Sequence, residues 1–233
     1  MGVSEHPPEE PAVEPGSGPF VGTALGIGLL AAAVALALFV VLGYQVRSGE
    51  PTTFDLTVRA WVRSVETPKL SAVMWAASVY GAPVRLSPLG LAAAAAFLLR
   101  GWRRGAVLVV VTLAGAWLLD TGLKTLFARA RPEAFFHYYP APQSFSFPSG
   151  HALFATCFFG GIAVLLSHRL RGRLAQILVW AIALVLSFLI GVSRVYLGVH
   201  YPTDVIGGFA VGIVWVASVA LGDRLAERRR LRV

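Results

Sequence analysis

Residues 174–221 read LAQILVWAIALVLSFLIGVSRVYLGVHYPTDVIGGFAVGIVWVASVAL. Two apolar runs, Leu174 to Val195 and Pro202 to Leu221, flank a short polar hinge. Each run matches the roughly 20 residues that an α-helix needs to cross the hydrocarbon core of a bilayer. The hinge holds His200, and Arg194 and Asp204 stand at the run ends beside it. Ionisable side chains at that depth are costly and point to function. This one stretch therefore predicts two transmembrane helices joined by chemistry.

The pattern recurs along the 233 residues. A first span is expected from Phe20 to Tyr44, a third from Gly105 to Phe127 and a fourth from Pro148 to Ser167. The second is placed at about Pro83 to Leu99. Leu70 to Tyr80 forms a helical piece before it, cut off by Gly81 and Pro83. Between Gln45 and Pro68, Phe54, Leu56, Val58, Trp61, Val62 and Val65 alternate with Asp55, Arg59 and Arg63, which reads as an interfacial amphipathic helix. Mean hydropathy is +0.69. Only 14% of residues are charged, against about 25% in soluble domains. The expected fold is an all-α integral membrane bundle of about six transmembrane helices. Residues 1–19 read as a disordered tail, 20–222 as the membrane domain and 223–233 as a basic tail.

The net charge of +8 sits mostly in short turns and at the C-terminus. Arg100, Arg103 and Arg104 form one turn, Arg169, Arg171 and Arg173 another. Arg224, Arg228, Arg229, Arg230 and Arg232 follow the last span. That distribution suits the positive-inside rule and argues against nucleic acid as a partner. It predicts a multi-pass plasma-membrane protein with both termini cytoplasmic. The connections after the first, third and fifth spans then face outward. The N-terminal 19 residues carry four Glu and no Lys or Arg, unlike a cleaved signal. The lone Cys157 permits no intramolecular disulfide.

Three clusters fall at the predicted outer ends of spans three to six. The first is Lys124 with Arg131 and Pro132, the second Pro148-Ser149-Gly150-His151, the third Ser193 to Asp204. Lys124 and Arg131 are seven residues apart, a spacing that puts them on one helix face, and the helix is expected to end near Arg131 because Pro132 follows. Pro148 suits the first position of a helix. Ser149, Gly150 and His151 would then occupy a first turn whose free N–H groups attract an anion. Arg194 adds a planar fork of donors suited to phosphate. A carboxylate at Asp204 can orient His200, leaving its second ring nitrogen free as a nucleophile. His151 is then the natural acid for a leaving oxygen. The set describes a phosphoryl site, with no metal motif and no cofactor called for.

Asp120, four residues before Lys124, is expected to pair with that lysine and to stand outside the catalytic set. His137 reads as a plain loop residue; His6 and His168 fall on the other side. Phe135, Phe136, Tyr138, Tyr139, Phe145 and Phe147 read as an interfacial aromatic belt. A lid guiding a lipid tail is the sharper alternative.

The three clusters resemble the type 2 phosphatidic acid phosphatase superfamily, which includes the vanadium haloperoxidases. Its signature of Lys-x6-Arg-Pro, Pro-Ser-Gly-His and Ser-Arg-x5-His-x3-Asp is matched here at every fixed position. The resemblance implies a phosphohistidine at His200, with Asp204 as its orienting partner and His151 as general acid. It implies phosphate ligands at Lys124, Arg131, Ser149, Gly150 and Arg194. It also implies a membrane lipid phosphate as substrate, met at the extracytoplasmic face that the arginine distribution predicts for the clusters: undecaprenyl diphosphate, phosphatidylglycerol phosphate or phosphatidate. Phosphotransfer by the same intermediate, or a non-catalytic lipid transporter or binder, are the competing expectations. The sequence assigns no oligomeric state.

Overall fold

A computed structural model describes residues 19–136 and 142–231, with side chains from Gly26 onward. The tail before Pro19, His137, Tyr138, Tyr139 and Arg232, on which several expectations fell, lie outside the described residues. All regular structure among the described residues is helical.

Helix α1 spans Pro19–Val46. Helix α2, Thr53–Ser64, opens on a capping box. The Thr52 hydroxyl accepts the Asp55 N–H at 3.1 Å, and the Asp55 carboxylate accepts the Thr52 N–H at 3.2 Å. Its amphipathic reading is met. Asp55 and Val62 are buried, while Phe54, Leu56 and Trp61 are exposed. Helix α3, Pro68–Tyr80, starts on a Thr67 cap and ends at Gly81. Helix α4, Pro83–Leu99, follows at a bend of 53°. The bend falls at Gly81-Ala82-Pro83, the break the sequence marks. Helix α5 is Arg103–Phe127. Helix α6, Gly150–Ser167, contains a π-helical turn at Thr156–Gly160. Helix α7 is Arg173–Tyr196 and helix α8 is Pro202–Arg230.

Five of these helices are long and apolar enough to cross a membrane. The bent pair α3–α4 passes the same test when taken together. The protein is thus an all-helical membrane bundle of five to six spans.

Two local expectations are corrected. Helix α6 begins at Gly150, not Pro148, and Ser149 is an extended cap residue. The cause is tertiary: the Ser149 N–H is donated to the Asp204 carbonyl of α8 at 2.9 Å, which holds this residue out of the helix. Helix α5 ends at Phe127, where Ala128 turns left-handed at φ 45°. Lys124 and Arg131 therefore do not share a helix face. Helix α8 runs on to Arg230, so Arg224, Arg228, Arg229 and Arg230 are helical. Asp223 and Glu227, one turn apart, both bind Arg104 of α5 at 2.6 Å and tie that end down.

Helix α8 is the axis of the bundle: α1, α5 and α6 all pack on it. Close approach of α6 depends on small residues. A Cβ on Gly208 would stand 2.5 Å from the Ser149 carbonyl oxygen and 3.2 Å from the Leu153 nitrogen. Beside this seam, Phe147 packs on Phe39 and Phe127, with ring centroids 5.6 and 4.8 Å away. Phe147 and Phe136 are buried. They belong to the core and not to an interfacial belt, whereas Phe145 is exposed.

Gly208→Ala is expected to destabilise the protein by about 1–3 kcal/mol, because its neighbours are backbone atoms that cannot step aside. Gly222→Ala, inside the same helix, meets nothing within 4 Å and should be stabilising by about 0.5–1 kcal/mol. Thermal melts of both variants in detergent check this; equal midpoints would contradict it.

Candidate active site

The hinge between α7 and α8 folds back on itself through Gly198, whose φ of +76° suits glycine. A Cβ there would also lie 2.5 Å from the Phe135 nitrogen. This corner buries His200, which is 1% exposed. Its Nδ1 lies 3.4 Å from Asp204 Oδ2 and 3.4 Å from Ser146 Oγ. Its Nε2 lies 2.8 Å from Arg131 Nη1. A guanidinium has no lone pair to offer, so Nε2 must be the acceptor. The proton then sits on Nδ1, facing the carboxylate, and the lone pair sits on Nε2, facing the cations.

Asp204 is in the first turn of α8 and fully buried. Its Oδ2 accepts the Tyr201 N–H at 2.8 Å and the Ser146 hydroxyl. It thus caps its own helix and faces the imidazole. Its Oδ1 accepts Arg129 Nη1 at 2.7 Å.

The cations arrive from three elements. Lys124, on the last turn of α5, pairs with Asp120 at 2.8 Å, as expected. A Cβ on Gly150 would stand 2.6 Å from Asp120 Oδ1 and 3.1 Å from Lys124 Nζ. The glycine therefore lets this ion pair lean on the first turn of α6. Arg131 stands in the connection after α5. Its guanidinium donates to the carbonyls of Val199, Ser144 and Phe145 at 2.9, 2.6 and 3.2 Å. Arg194, fully buried on α7, donates to the Ser78 hydroxyl of α3. The backbone of Ser78 also hydrogen-bonds His151. Ser149 Oγ is buried with no hydrogen-bond partner among the described residues.

All three predicted clusters therefore meet at one end of the bundle. Four further residues were not singled out from sequence: Arg129, Asp55, Ser146 and Ser78. Only Asp55 left a legible trace, as the Asp of a Thr-x-x-Asp cap.

Burial, and then the charges of Arg131, Arg194 and Lys124, hold His200 well below the usual imidazole range. A lowered pKa keeps the ring neutral on the acid side, so its lone pair survives as pH falls. The ligand-free protein should show a neutral His200 with the proton on Nδ1 at about pH 6.5, where an ordinary histidine is half charged. ¹⁵N NMR of labelled imidazole reads this directly. A charged His200 at that pH would contradict the geometry.

A family model described as the PAP2 superfamily matches residues 105–225. The chain is 32% identical to phosphatidylglycerophosphatase B of Bacillus subtilis (strain 168) over 193 residues, covering 82% of this chain and 94% of that relative. It is 26% identical to an undecaprenyl-diphosphatase of Sulfolobus acidocaldarius over 195 residues, covering 81% of this chain and 88% of that protein. Among solved structures, a transmembrane PAP2-type phosphatidylglycerolphosphate phosphatase from Bacillus subtilis superposes with a TM-score of 0.73 at 31% identity. That match covers 83% of this chain and 96% of the other.

Proposed function

The chain belongs to the PAP2 superfamily, and from that premise we propose that it is a lipid phosphate phosphatase in which His200 attacks phosphorus. The observation that carries the reading is the orientation of His200. Its Nε2 lone pair is directed at Arg131, and its Nδ1 is backed by Asp204.

The reaction runs in two steps. The substrate phosphoryl group binds among Lys124, Arg131 and Arg194, and the N–H groups of the first turn of α6 and the Ser149 hydroxyl add donors. Arg131 Nη1, which lies 2.8 Å from Nε2, passes to a phosphoryl oxygen. The Nε2 lone pair attacks phosphorus and the bond from phosphorus to the lipid oxygen breaks. His151 gives its proton to that leaving oxygen. Asp204 stabilises the positive charge that grows on the ring. Water then attacks the phosphohistidine, loses a proton to His151 and frees His200 and inorganic phosphate. The three cations offset the charge developing on the phosphoryl oxygens.

Both relatives above carry names that describe phosphate removal from membrane lipids. Phosphatidylglycerol phosphate, undecaprenyl diphosphate and phosphatidate are accordingly the substrates to compare. The active face is extracytoplasmic by the positive-inside rule. Contacts within the fold gather basic residues at the end opposite the site: Arg104 binds Asp223 and Glu227, and the Arg169 guanidinium lies 4.0 Å over the Trp102 ring.

The test is phosphate release from those three lipids in detergent with EDTA, for wild type and His200→Ala. Wild type should release phosphate in EDTA. The variant, still folded, should lose at least about a thousandfold in rate. Near wild-type turnover by His200→Ala would remove the nucleophile, and turnover abolished by EDTA would remove the metal-free scheme.

A further inference from the structure

We infer that Arg129 and Asp55 are positioning residues for the His200–Asp204 pair, a role that rests on the reaction proposed for that pair. The signature residues do not include either one. Yet Arg129 is among the most deeply buried large side chains in the protein, at 1% exposed. Its Nη1 donates to Asp204 Oδ1 at 2.7 Å and to Thr203 Oγ1 at 2.8 Å. Its Nη2 donates to Asp55 Oδ2 at 2.9 Å. Its planar face lies 4.2 Å over the Tyr201 ring.

One guanidinium thus joins two fully buried carboxylates. The fork geometry matters, because a single ammonium has no such rigid spread of donors. Asp204 has two oxygens with two tasks. Oδ2 faces His200 Nδ1, and Oδ1 is held by Arg129. Fixing Oδ1 fixes the plane of the carboxylate, and with it the direction in which Nε2 points.

Asp55 anchors the other end. Its Oδ1 accepts the Thr203 N–H at 3.0 Å and its Oδ2 accepts the Thr203 hydroxyl at 2.9 Å. Thr203 is the residue before Asp204, so Asp55 clamps the start of α8 to the start of α2. Helix α2 braces the same corner again through Arg59, which donates to the Gly198 carbonyl at 2.8 Å and the Glu133 carbonyl at 2.9 Å. The amphipathic helix is therefore wired to the nucleophile through Asp55, Arg129 and Asp204.

The test is steady-state kinetics on a lipid phosphate in detergent for wild type, Arg129→Lys, Asp204→Asn and the double variant. His200→Ala is the control for the chemistry. Arg129→Lys keeps the charge but loses the bridge. It should lower kcat by about 10- to 100-fold and move KM by less than about threefold. In the Asp204→Asn background the same change should cost little further, because residues acting through one group are not additive. Where Arg129→Lys fails to fold, Asp55→Asn tests the link in the same cycle, with the same direction and the same absorption by Asp204→Asn. Wild-type kcat in a folded Arg129→Lys, or losses that multiply with those of Asp204→Asn, would overturn the positioning role alone. A wild type that releases no phosphate, or a fully active His200→Ala, would instead overturn the phosphatase reading, and the positioning role with it.

Discussion

A charge held at the edge of a bilayer's hydrocarbon has to be matched from within the protein, and that requirement orders one whole end of this bundle. Arg129 meets Asp55 and Asp204, Lys124 meets Asp120, and Arg194 meets Ser78. Each of these contacts, apart from that within α5, joins elements far apart in sequence. The ends of α2, α3, α7 and α8 and the connection after α5 are drawn together by polar matching, and the apolar lengths below them follow. The seam of Gly208 and Gly212 lets α6 lie close enough to α8 for Ser149 to reach the Asp204 carbonyl.

Carboxylates pair with Arg129 and Lys124, while Arg131 donates to the carbonyls of Val199 and Phe145 and to the imidazole of His200. In the proposed reaction the phosphoryl group binds among Arg131, Arg194 and Lys124. Burial in this positive surrounding also lowers the pKa of His200, which favours the neutral ring that the proposed attack needs.

The spans were legible because long apolar runs admit few other readings in a chain so poor in charge. The break at Gly81 to Pro83 was legible from backbone chemistry, and it appears as a 53° bend. Residues of the three clusters could be found because their types and spacings carry a chemistry. What sequence did not reveal is uniformly tertiary. Arg129 looks like one more basic residue in Arg-Ala-Arg-Pro, and its carboxylate partners lie 74 and 75 residues away. The start of α6 moved because of a hydrogen bond to another helix. Phe136 and Phe147 looked interfacial until a core formed around them. Near its far end α8 meets Arg104, a residue of α5, through Asp223 and Glu227.

The central claim is that the phosphoryl group rests on His200 between two chemical steps. The most direct measurement is a rapidly quenched single turnover with lipid labelled at phosphorus, in wild type and in His151→Ala, where loss of His151 slows both departure of the lipid and attack by water. The account predicts an acid-labile, alkali-stable label that maps to His200 and decays as inorganic phosphate appears. A label on another residue, or phosphate released in both proteins with no label ever bound, would contradict it.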